Sequence, residues 1–210
     1  MRNISQVPSF AEEGRLEAQG YQLIAGIDEV GRGALAGPVV ASAVILPRHI
    51  DTPWLNRVKD SKLLSPRERE YLFDFIQEIA ISTGTGTVPP EFIDSNGIVT
   101  ATRLAMKLAI DQLSPSPESL LIDYMSLPEV TLPQQGIKNG DRLCFSIACA
   151  SIMAKVTRDR LMVDMDKSYP GYGLAQHKGY GTERHITCLR RLGPSPIHRR
   201  SFKPVKEVIT

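Results

Sequence analysis

The fold is organised by the stretch Leu23-Ile24-Ala25-Gly26-Ile27-Asp28-Glu29-Val30-Gly31-Arg32-Gly33, in which an apolar strand runs into two adjacent carboxylates and a glycine–arginine–glycine turn. A second apolar run over 39–46 is the expected return strand of a hairpin. Neighbouring strand residues point to opposite faces. Asp28 and Glu29 can therefore share a site only near the strand end that the glycines provide. Carboxylates beside a turn that exposes backbone N–H groups suit Mg²⁺ held jointly by protein and a phosphate-bearing substrate. The alternative is a plain hairpin with a solvated acidic corner.

Length and composition fit one well-buried domain plus an appendage. The 210 residues are 42% hydrophobic and 23% charged, and the formal net charge is only +2. The charge is unevenly distributed, because residues 183–206 hold seven Arg or Lys residues against one acid. Clustered cations are typical of a surface that binds a polyanion. A solvated basic tail is the alternative interpretation.

The cysteines and the termini indicate the compartment. Cys144, Cys149 and Cys188 have no zinc-binding spacing and cannot all pair, which fits free thiols in a reducing environment. No signal peptide follows Met1, and no apolar run approaches the length of a membrane span. We therefore expect a cytoplasmic protein with no membrane partner.

Local signals predict the elements around this hairpin. Helix starts are predicted at Ser9 with Glu12 (a capping box, helix over roughly 9–18), at Ser65 with Pro66, and at Asp94 or Ser95. Threonine alternates with glycine over 81–88, which predicts a third strand. After Gly97 the apolar spacing is helical, and we expect the stripe of Leu104, Leu108 and their neighbours to lie in the core.

A further short strand is predicted over 120–123, and it ends in the carboxylate of Asp123 as the first strand ends in Asp28. Ligands of an α/β sheet gather beyond its strand ends, so these acids are expected to meet. A loop with Pro128, Pro133 and Gly136 should follow. A long helix over 146–167, small-residue rich at its start, should pack closely on the sheet. A helix over roughly 182–192 then precedes the basic tail.

Two Mg²⁺ ions at a phosphodiester need three or four convergent carboxylates and no dedicated base. Asp28, Glu29 and Asp123 are the candidates from strand position, and the residues leave a fourth open among Asp141, Asp159, Asp164 and Asp166. Asp159 follows Lys155 by four residues on a helix, which favours a surface ion pair. Asp141 follows a glycine and fits a helix cap or a metal ligand equally well.

A set of motifs resembles the ribonuclease HII family. The matching blocks are Asp28-Glu29-Val30-Gly31-Arg32-Gly33, Gly37-Pro38-Val39-Val40, Asp60-Ser61-Lys62, Leu121-Ile122-Asp123, Gly140-Asp141, Ala150-Ser151-Ile152, Ala154-Lys155-Val156-Thr157-Arg158-Asp159, His177-Lys178-Gly179-Tyr180 and His198-Arg199-Arg200-Ser201-Phe202. The blocks occur in order over about residues 22 to 206. A lone acidic–glycine turn is weak evidence, whereas this many blocks in register are specific.

The resemblance implies an α/β, RNase H-like fold: a mixed five-stranded sheet flanked by helices, with a small helical C-terminal extension. We expect a polar N-terminal segment over 1–20, a catalytic domain over 21–168, and a basic helical extension over 169–210 that completes the substrate site. A monomer is expected. Ala34, Asn139 and Tyr124 depart from the family pattern, which often has proline, lysine and glycine there, and this bears on substrate fine-tuning rather than on the chemistry.

The resemblance also implies the reaction. The family's four metal-binding, catalytic acids fall on Asp28, Glu29, Asp123 and Asp141. The family hydrolyses RNA in RNA–DNA hybrids and cuts 5′ of single ribonucleotides in duplex DNA, as in ribonucleotide excision repair, leaving a 3′-hydroxyl and a 5′-phosphate. Two Mg²⁺ or Mn²⁺ ions are expected, one activating water and one stabilising the departing 3′-oxygen.

Substrate-binding residues are assigned by the same resemblance. Their expected positions are Gly31, Arg32, Gly33, Ser61, Lys62, Lys178 and Tyr180. The glycine–arginine–glycine segment would read the ribose 2′-hydroxyl, the group that separates RNA from DNA, and Tyr180 would pack on the neighbouring deoxyribose. Arg32 could instead brace the turn, Ser61 could be loop structure, and Tyr180 could be a packed loop aromatic. Lys62 is expected to contact a phosphate, and Lys178 with the basic tail to hold the duplex backbone. His177 fits a loop hydrogen-bonder rather than a base.

Three other functions compete with this interpretation. Ribonuclease HIII shares the acidic pair but carries a sizeable N-terminal domain, and only 27 residues precede Asp28 here. A silent hybrid-binding module should have a neutral residue at one ligand position, and all four are acidic. A phosphate-binding-loop nucleotidase would need Gly-Lys-Ser/Thr after the glycines, which is missing.

Overall fold

The acidic hairpin forms the middle of a mixed five-stranded sheet. The structure, a computed structural model, describes residues 7–48, 50 and 52–209. The strands are β1 Ile24–Val30, β2 Val39–Ile45, β3 Ser82–Val88, β4 Ser119–Asp123 and β5 Gln134–Ile137. They lie in the order β3-β2-β1-β4-β5, with antiparallel pairing among β3, β2 and β1 and parallel pairing among β1, β4 and β5. The expected sheet is confirmed.

Helices cover both faces of this sheet. They are α1 Ala11–Glu17, α2 Pro66–Ile79, α3 Pro90–Asn96, α4 Ile98–Asp111, α5 Gly140–Leu143, α6 Phe145–Ser168, α7 Leu174–His177, α8 Glu183–Leu192 and α9 Lys203–Ile209, with 3₁₀ turns at Pro53–Arg57 and Ser61–Leu63. One apolar cluster lies between the sheet and α4, and another between the sheet, α2 and α6. No helix in the described part of the chain is long and apolar enough to cross a membrane.

Alternation along β1 divides its residues between two layers. Ala25 and Ile27 belong to the cluster that contains α4, so Gly26 and Asp28 point toward α6. A side chain at Gly26 would overlap the backbone of Ser146, at the start of α6. Glycine therefore lets the long helix lie directly on the strand, and Asp28 faces that helix two residues later.

Residues before β1 are fixed to the start of α6. The Ser9 backbone accepts from the Phe145 N–H at 3.2 Å and donates to the Leu143 carbonyl at 3.0 Å. Buried Glu13 accepts from the Ser146 N–H at 2.9 Å and from its hydroxyl at 2.7 Å. Burial raises the pKa of Glu13. Helix α1 thus caps α6 and holds the segment that follows α5.

Two helix starts differ from their predictions, and one agrees. Ser65 forms a capping box with Glu68 at the start of α2, as predicted. The predicted capping box of Ser9 and Glu12 is wrong, because α1 begins after Phe10 and the Ser9 hydroxyl accepts from the Ala11 N–H, at 3.4 Å, rather than from Glu12.

The predicted start of the next helix, at Asp94 or Ser95, is also wrong. These residues lie near the end of α3, and Gly97, with a φ of 79°, separates α3 from α4. Asp94 has a different structural role, since its carboxylate accepts from the backbone N–H groups of Arg200 and Ser201, each at 2.9 Å. A cap-type residue was present, but it holds the C-terminal part of the chain rather than the helix beside it.

The buried face of α4 differs from the predicted stripe. Leu108 is exposed and Leu104 is half-buried, while the buried residues are Ala101, Thr102, Ala105, Met106, Ala109 and Ile110. Side chains at Gly84 and Gly86 of β3 would overlap the carbonyl oxygens of Ala109 and Ala105. Close contact between helix and strand requires small residues on both, so alanine occupies the core positions that hydrophobicity alone gives to leucine.

Strand β5 lies in the segment predicted to be a loop. Its residues Gln134-Gln135-Gly136-Ile137 include one large apolar side chain and stand at the edge of the sheet. A short edge strand needs neither alternation nor hydrophobicity, and Pro133 with Gly136 signalled a loop. This error matters for the site, because Asp141 follows β5.

Candidate active site

Four acids lie at one end of the sheet, where the three parallel strands β1, β4 and β5 have their C-terminal ends. Ile27 of β1 pairs with Ile122 of β4, and Asp123 pairs with Ile137 of β5. Asp28 and Glu29 therefore lie beside Asp123. Asp141 follows the end of β5 in α5. Strand ends of an α/β sheet are where ligands bind, and here each of the three ends delivers an acid.

Asp28 is, together with Asp141, the most buried of these acids. It is 5% exposed, and its Oδ1 accepts from the Glu29 N–H at 2.7 Å. Burial raises the pKa of the Asp28 carboxyl well above its usual value, and the charges of Glu29 and Asp123 raise it further. Ser151 of α6 hydrogen-bonds the carboxyl and opposes the shift.

The two carboxylate oxygens of Glu29 have different surroundings: one pairs with Arg32, and the other has no hydrogen-bond partner among the described residues. Burial raises its pKa, and the Arg32 guanidinium, whose Nη1 lies 3.2 Å from Oε1, lowers it. The other oxygen, Oε2, is buried and has no hydrogen-bond partner within the described residues. Arg32 therefore braces the turn in this structure, and Glu29 retains one acceptor directed at no protein group.

Asp123 holds the loop that carries Asp141. Its Oδ1 accepts from the Gly140 N–H at 2.7 Å. Burial raises the pKa of Asp123, the bond from Gly140 lowers it, and the charge of Asp141 raises it. Asn139, with a φ of 58°, makes the turn that presents Gly140.

Lys62 lies beside the acidic cluster, next to Asp141. Its Nζ lies 3.6 Å from Asp141 Oδ2, and its side chain is 76% exposed. Burial lowers the pKa of Lys62, but the nearby carboxylates, Asp141 foremost, raise it above its usual value. Asp60 ties this loop to α5, since it accepts from the Lys62 N–H at 2.9 Å and from Arg142 at 2.8 Å.

The four acids fit a divalent cation in their chemistry but do not form a closed ligand shell. No three His, Cys, Asp or Glu side chains within the described ranges stand close enough together to hold a metal ion. The expected convergence is therefore incomplete in this structure, in which Arg32 pairs with Glu29 and Lys62 pairs with Asp141. Hard carboxylate oxygens, the raised pKa values of Asp28, Glu29 and Asp123, and the unpartnered Oε2 of Glu29 all suit Mg²⁺ or Mn²⁺.

A cleft of about 400 Å³ opens beside the acids. Its lining residues are Asp28, Glu29, Val30, Ser61, Lys62, Arg69, Ser151, Lys155 and Tyr180. Five predicted site residues thus meet in one cavity. Ser61 is buried and its hydroxyl lies 2.9 Å from that of Ser151, so it also has the structural role that its loop position suggested.

Two buried arginines brace the glycine-containing turn, and sequence reasoning missed both. Arg158, fully buried, donates to the carbonyls of Pro38 at 2.9 Å, Ala36 at 3.1 Å and Lys178 at 2.9 Å. Arg199, also fully buried, donates to the carbonyls of Gly37 and Arg32. Burial lowers the pKa of both guanidinium groups, that of Arg199 to about 9.

The burial of Arg199 corrects a prediction at one residue. The basic tail was expected to hold the duplex backbone, and Arg199, one of its seven cations, instead lies inside the protein and donates to backbone carbonyls. Its neighbour Arg200 is exposed. The signal for the arginine pair was present as Arg158 and Arg199 within the quoted motifs, but a cation in sequence does not reveal whether it faces solvent or carbonyls.

Tyr180 and Lys178 lie on the loop between α7 and α8. Tyr180 is 36% exposed, and the Arg158 guanidinium lies 5.5 Å from its ring centroid. Gly179 has a φ of 80°, and its carbonyl accepts from the Leu35 N–H at 2.8 Å. A side chain at Gly179 would overlap the Ala36 carbonyl. Lys178 lines a larger groove next to the cleft, and its Nζ bonds the Ala175 carbonyl.

Asp159 and His177 have the structural roles that were expected as alternatives. Asp159 lies 2.7 Å from the Nζ of Lys155, four residues earlier on α6. His177 Nε2 lies 2.9 Å from the Tyr172 carbonyl. Neither side chain lines the cleft.

Comparison with known proteins gives consistent relatives. The family model described as Ribonuclease HII matches residues 25–205. A Ribonuclease HII of Dehalococcoides mccartyi strain BAV1 is 58% identical over 202 residues, covering 96% of this chain and 95% of that protein. The ribonuclease H2 structure from Pyrococcus horikoshii OT3 has a TM-score of 0.69 and 25% identity, covering 88% of this chain and 96% of the other. The structure of the PCNA:RNase HII complex from Archaeoglobus fulgidus has a TM-score of 0.74 and 28% identity, covering 90% of this chain and 97% of the other.

Proposed function

Because the chain belongs to the ribonuclease HII family, we propose that this endoribonuclease cuts the RNA strand of RNA–DNA hybrids and also cuts duplex DNA 5′ of a single embedded ribonucleotide. The products would carry a 3′-hydroxyl and a 5′-phosphate. The observation that carries the proposal is the group of four acids at the ends of three parallel strands, beside a cleft.

The acids are proposed to bind two divalent cations, Mg²⁺ or Mn²⁺, through Asp28, Glu29, Asp123 and Asp141. When bound, such ions supply an activated water and neutralise charge on the departing 3′-oxygen. Asp28 and Asp123 are held by backbone N–H groups, so their orientation is fixed before any ligand arrives. With a divalent ion bound, Glu29 would give up its ion pair with Arg32, and Asp141 would give up its ion pair with Lys62. The side chains of Arg32 and Lys62 would then be available to the substrate.

Substrate recognition is assigned to the rim of the cleft. Gly31, Arg32 and Gly33 would read the ribose 2′-hydroxyl, and sites built around a hydroxyl reject analogues that lack it by large factors. Tyr180 would pack on the adjacent deoxyribose. The phosphate contacts are proposed for Ser61, Lys62 and Lys178.

The remaining expectations are proposals of the same kind. Residues 169–210 would complete the substrate site of a catalytic domain over 21–168, because Tyr180 and Lys178 belong to them. Within the predicted N-terminal segment over 1–20, the described residues from position 7 onward would support the start of α6. The three cysteines are free thiols, which supports action in a reducing compartment such as the cytoplasm. Action as a monomer and a role in ribonucleotide excision repair are proposed from the family resemblance alone.

The test is cleavage of three end-labelled duplexes: a long RNA–DNA hybrid, a DNA duplex with one ribonucleotide, and all-DNA. We expect cutting of the first two, with the single-ribonucleotide duplex cut once, 5′ of that ribonucleotide, and with EDTA abolishing both reactions. Cutting of the hybrid alone would refute the single-ribonucleotide assignment. Tight binding of both duplexes without any cut would favour the hybrid-binding module.

A further inference from the structure

A buried chain of histidines runs from the C-terminal loop to the segment that carries Tyr180. His185 of α8 is fully buried and His198 is 1% exposed. Their Nε2 atoms lie 3.1 Å apart. His198 Nδ1 lies 2.8 Å from the Ser195 hydroxyl and 3.1 Å from the Ser195 N–H. At the other end, His185 Nδ1 lies 2.9 Å from the Tyr180 carbonyl oxygen.

The geometry fixes where each proton resides. The Ser195 N–H can only donate, so His198 Nδ1 accepts and the proton of its neutral ring is on Nε2. That proton is donated to His185 Nε2, which leaves the His185 proton on Nδ1. His185 then donates to the Tyr180 carbonyl, which can only accept. Every donor in the chain faces an acceptor.

A third histidine supports the same loop. His177 stacks on His185 with ring centroids 4.3 Å apart. Its Nδ1 accepts from the Gly179 N–H at 3.3 Å, so its proton is on Nε2 and is donated to the Tyr172 carbonyl. Thus Gly179 and Tyr180 are each bonded to a histidine through the main chain.

The surroundings keep the rings of His185 and His198 neutral. Burial lowers the pKa of His185 and of His198, that of His198 to about 4, and the groups that add most to the lowering are the other histidines. The aromatic ring of Tyr172 packs against His198 at 4.8 Å. A charged ring would carry protons on both nitrogens and would place a donor against a donor somewhere in the chain.

We propose that His185 and His198 are positioning residues that hold the main chain of Tyr180, and with it the aromatic ring at the cleft, in the orientation that binds substrate. This rests on the proposed function, in which Tyr180 contacts the sugar next to the ribonucleotide. The histidines touch no substrate in this assignment. They act through the loop.

Two matched variants separate positioning from packing. In His185→Asn the side-chain amide can occupy the place of Nδ1 and still donate to the Tyr180 carbonyl, whereas in His185→Gln it occupies the place of Nε2 and cannot. We expect His185→Gln to raise KM for the single-ribonucleotide duplex about tenfold with kcat little changed, as loss of a bond to a buried carbonyl implies. His185→Asn should stay within about threefold of wild type.

A double-mutant cycle with Tyr180→Ala tests whether the effect passes through the tyrosine. If it does, His185→Gln adds nothing to the KM increase of Tyr180→Ala. Leu189→Ala, which damages the buried side of the same helix, should reduce stability without raising KM. Independent effects of His185→Gln and Tyr180→Ala, or an equal KM increase in Leu189→Ala, would overturn the proposal. A Tyr180→Ala variant with unchanged KM would instead refute the substrate role of Tyr180.

Nitrogen-15 NMR of the imidazole rings checks the proton positions without any assay of activity. We expect neutral rings for His185 and His198 at pH 7, with the proton on Nδ1 in His185 and on Nε2 in His198. A proton on Nε2 of His185 would contradict the chain, because the Tyr180 carbonyl would then have no donor from this ring.

Discussion

Replacement of Asp28 by asparagine should lower hybrid cleavage by about 10³-fold or more, because it removes a central ligand charge from the proposed metal site. Hybrid binding should stay within a few-fold of wild type, since the bound backbone and sugar contacts are unchanged. The measurement is single-turnover cleavage with Mg²⁺, together with binding of the same hybrid in EDTA. Loss of both properties would show instead that the carboxylate is needed for folding.

The same substitution should stabilise the metal-free protein. The folded-state pKa of Asp28 is raised, mainly by burial, so the fold favours the protonated carboxyl, and ionisation at neutral pH costs stability. Asparagine is never ionised and can still accept from the Glu29 N–H. In EDTA at pH 7 the variant should melt higher, by roughly 2–4 °C for each kcal/mol gained. The gain should shrink as the pH falls below the raised pKa of the folded state and should be lost below the ordinary pKa of the unfolded chain.

Asp159→Asn is the matched control. It removes a carboxylate that pairs with Lys155 and Arg69 and that does not line the cleft. Its cleavage rate should remain close to wild type. If it lost activity as strongly as Asp28→Asn, the assignment of the acids would be wrong.

Replacement of Arg158 by methionine should lower the free energy of unfolding by about 3 kcal/mol or more, because three buried carbonyls lose a charged donor. These carbonyls, on Ala36, Pro38 and Lys178, join the glycine-containing turn to the Tyr180 loop. The measurement is urea unfolding followed by circular dichroism. Arg158→Lys keeps the charge with fewer donors in fixed directions and should fall between wild type and methionine.

Arg160 on the same helix provides the control. Its side chain is 51% exposed and pairs with Glu70, so Arg160→Met should cost less than about 1 kcal/mol. Equal losses in the two variants would mean that the buried bonds of Arg158 contribute nothing particular to stability.

The parts of the site that sequence predicted are those with strong local signals. An apolar strand ending in acids is a strong local signal, and it occurs at Asp28 and again at Asp123. Parallel pairing then brings both to one edge, as expected. Asp141 could be chosen only through the family resemblance, because β5 lacks the apolar pattern of a strand and its end could not be recognised.

The bracing groups could not be predicted for a different reason. Arg158, Arg199 and the histidines are polar residues whose partners are backbone carbonyls far along the chain, and no local pattern specifies such bonds. Similarly, α4 presents alanines to β3 because Gly84 and Gly86 allow close approach, which depends on the facing strand. Tertiary contacts decided these positions.

The most direct test of the account is a titration of the metal-free protein with Mn²⁺, followed by the electron paramagnetic resonance signal of the free ion. Wild type and Asp159→Asn should remove Mn²⁺ from solution equally, while Asp28→Asn and Asp123→Asn should bind it at least about tenfold more weakly. Unchanged Mn²⁺ affinity in both Asp28→Asn and Asp123→Asn would contradict the claim that the acids at the ends of β1 and β4 form the metal site.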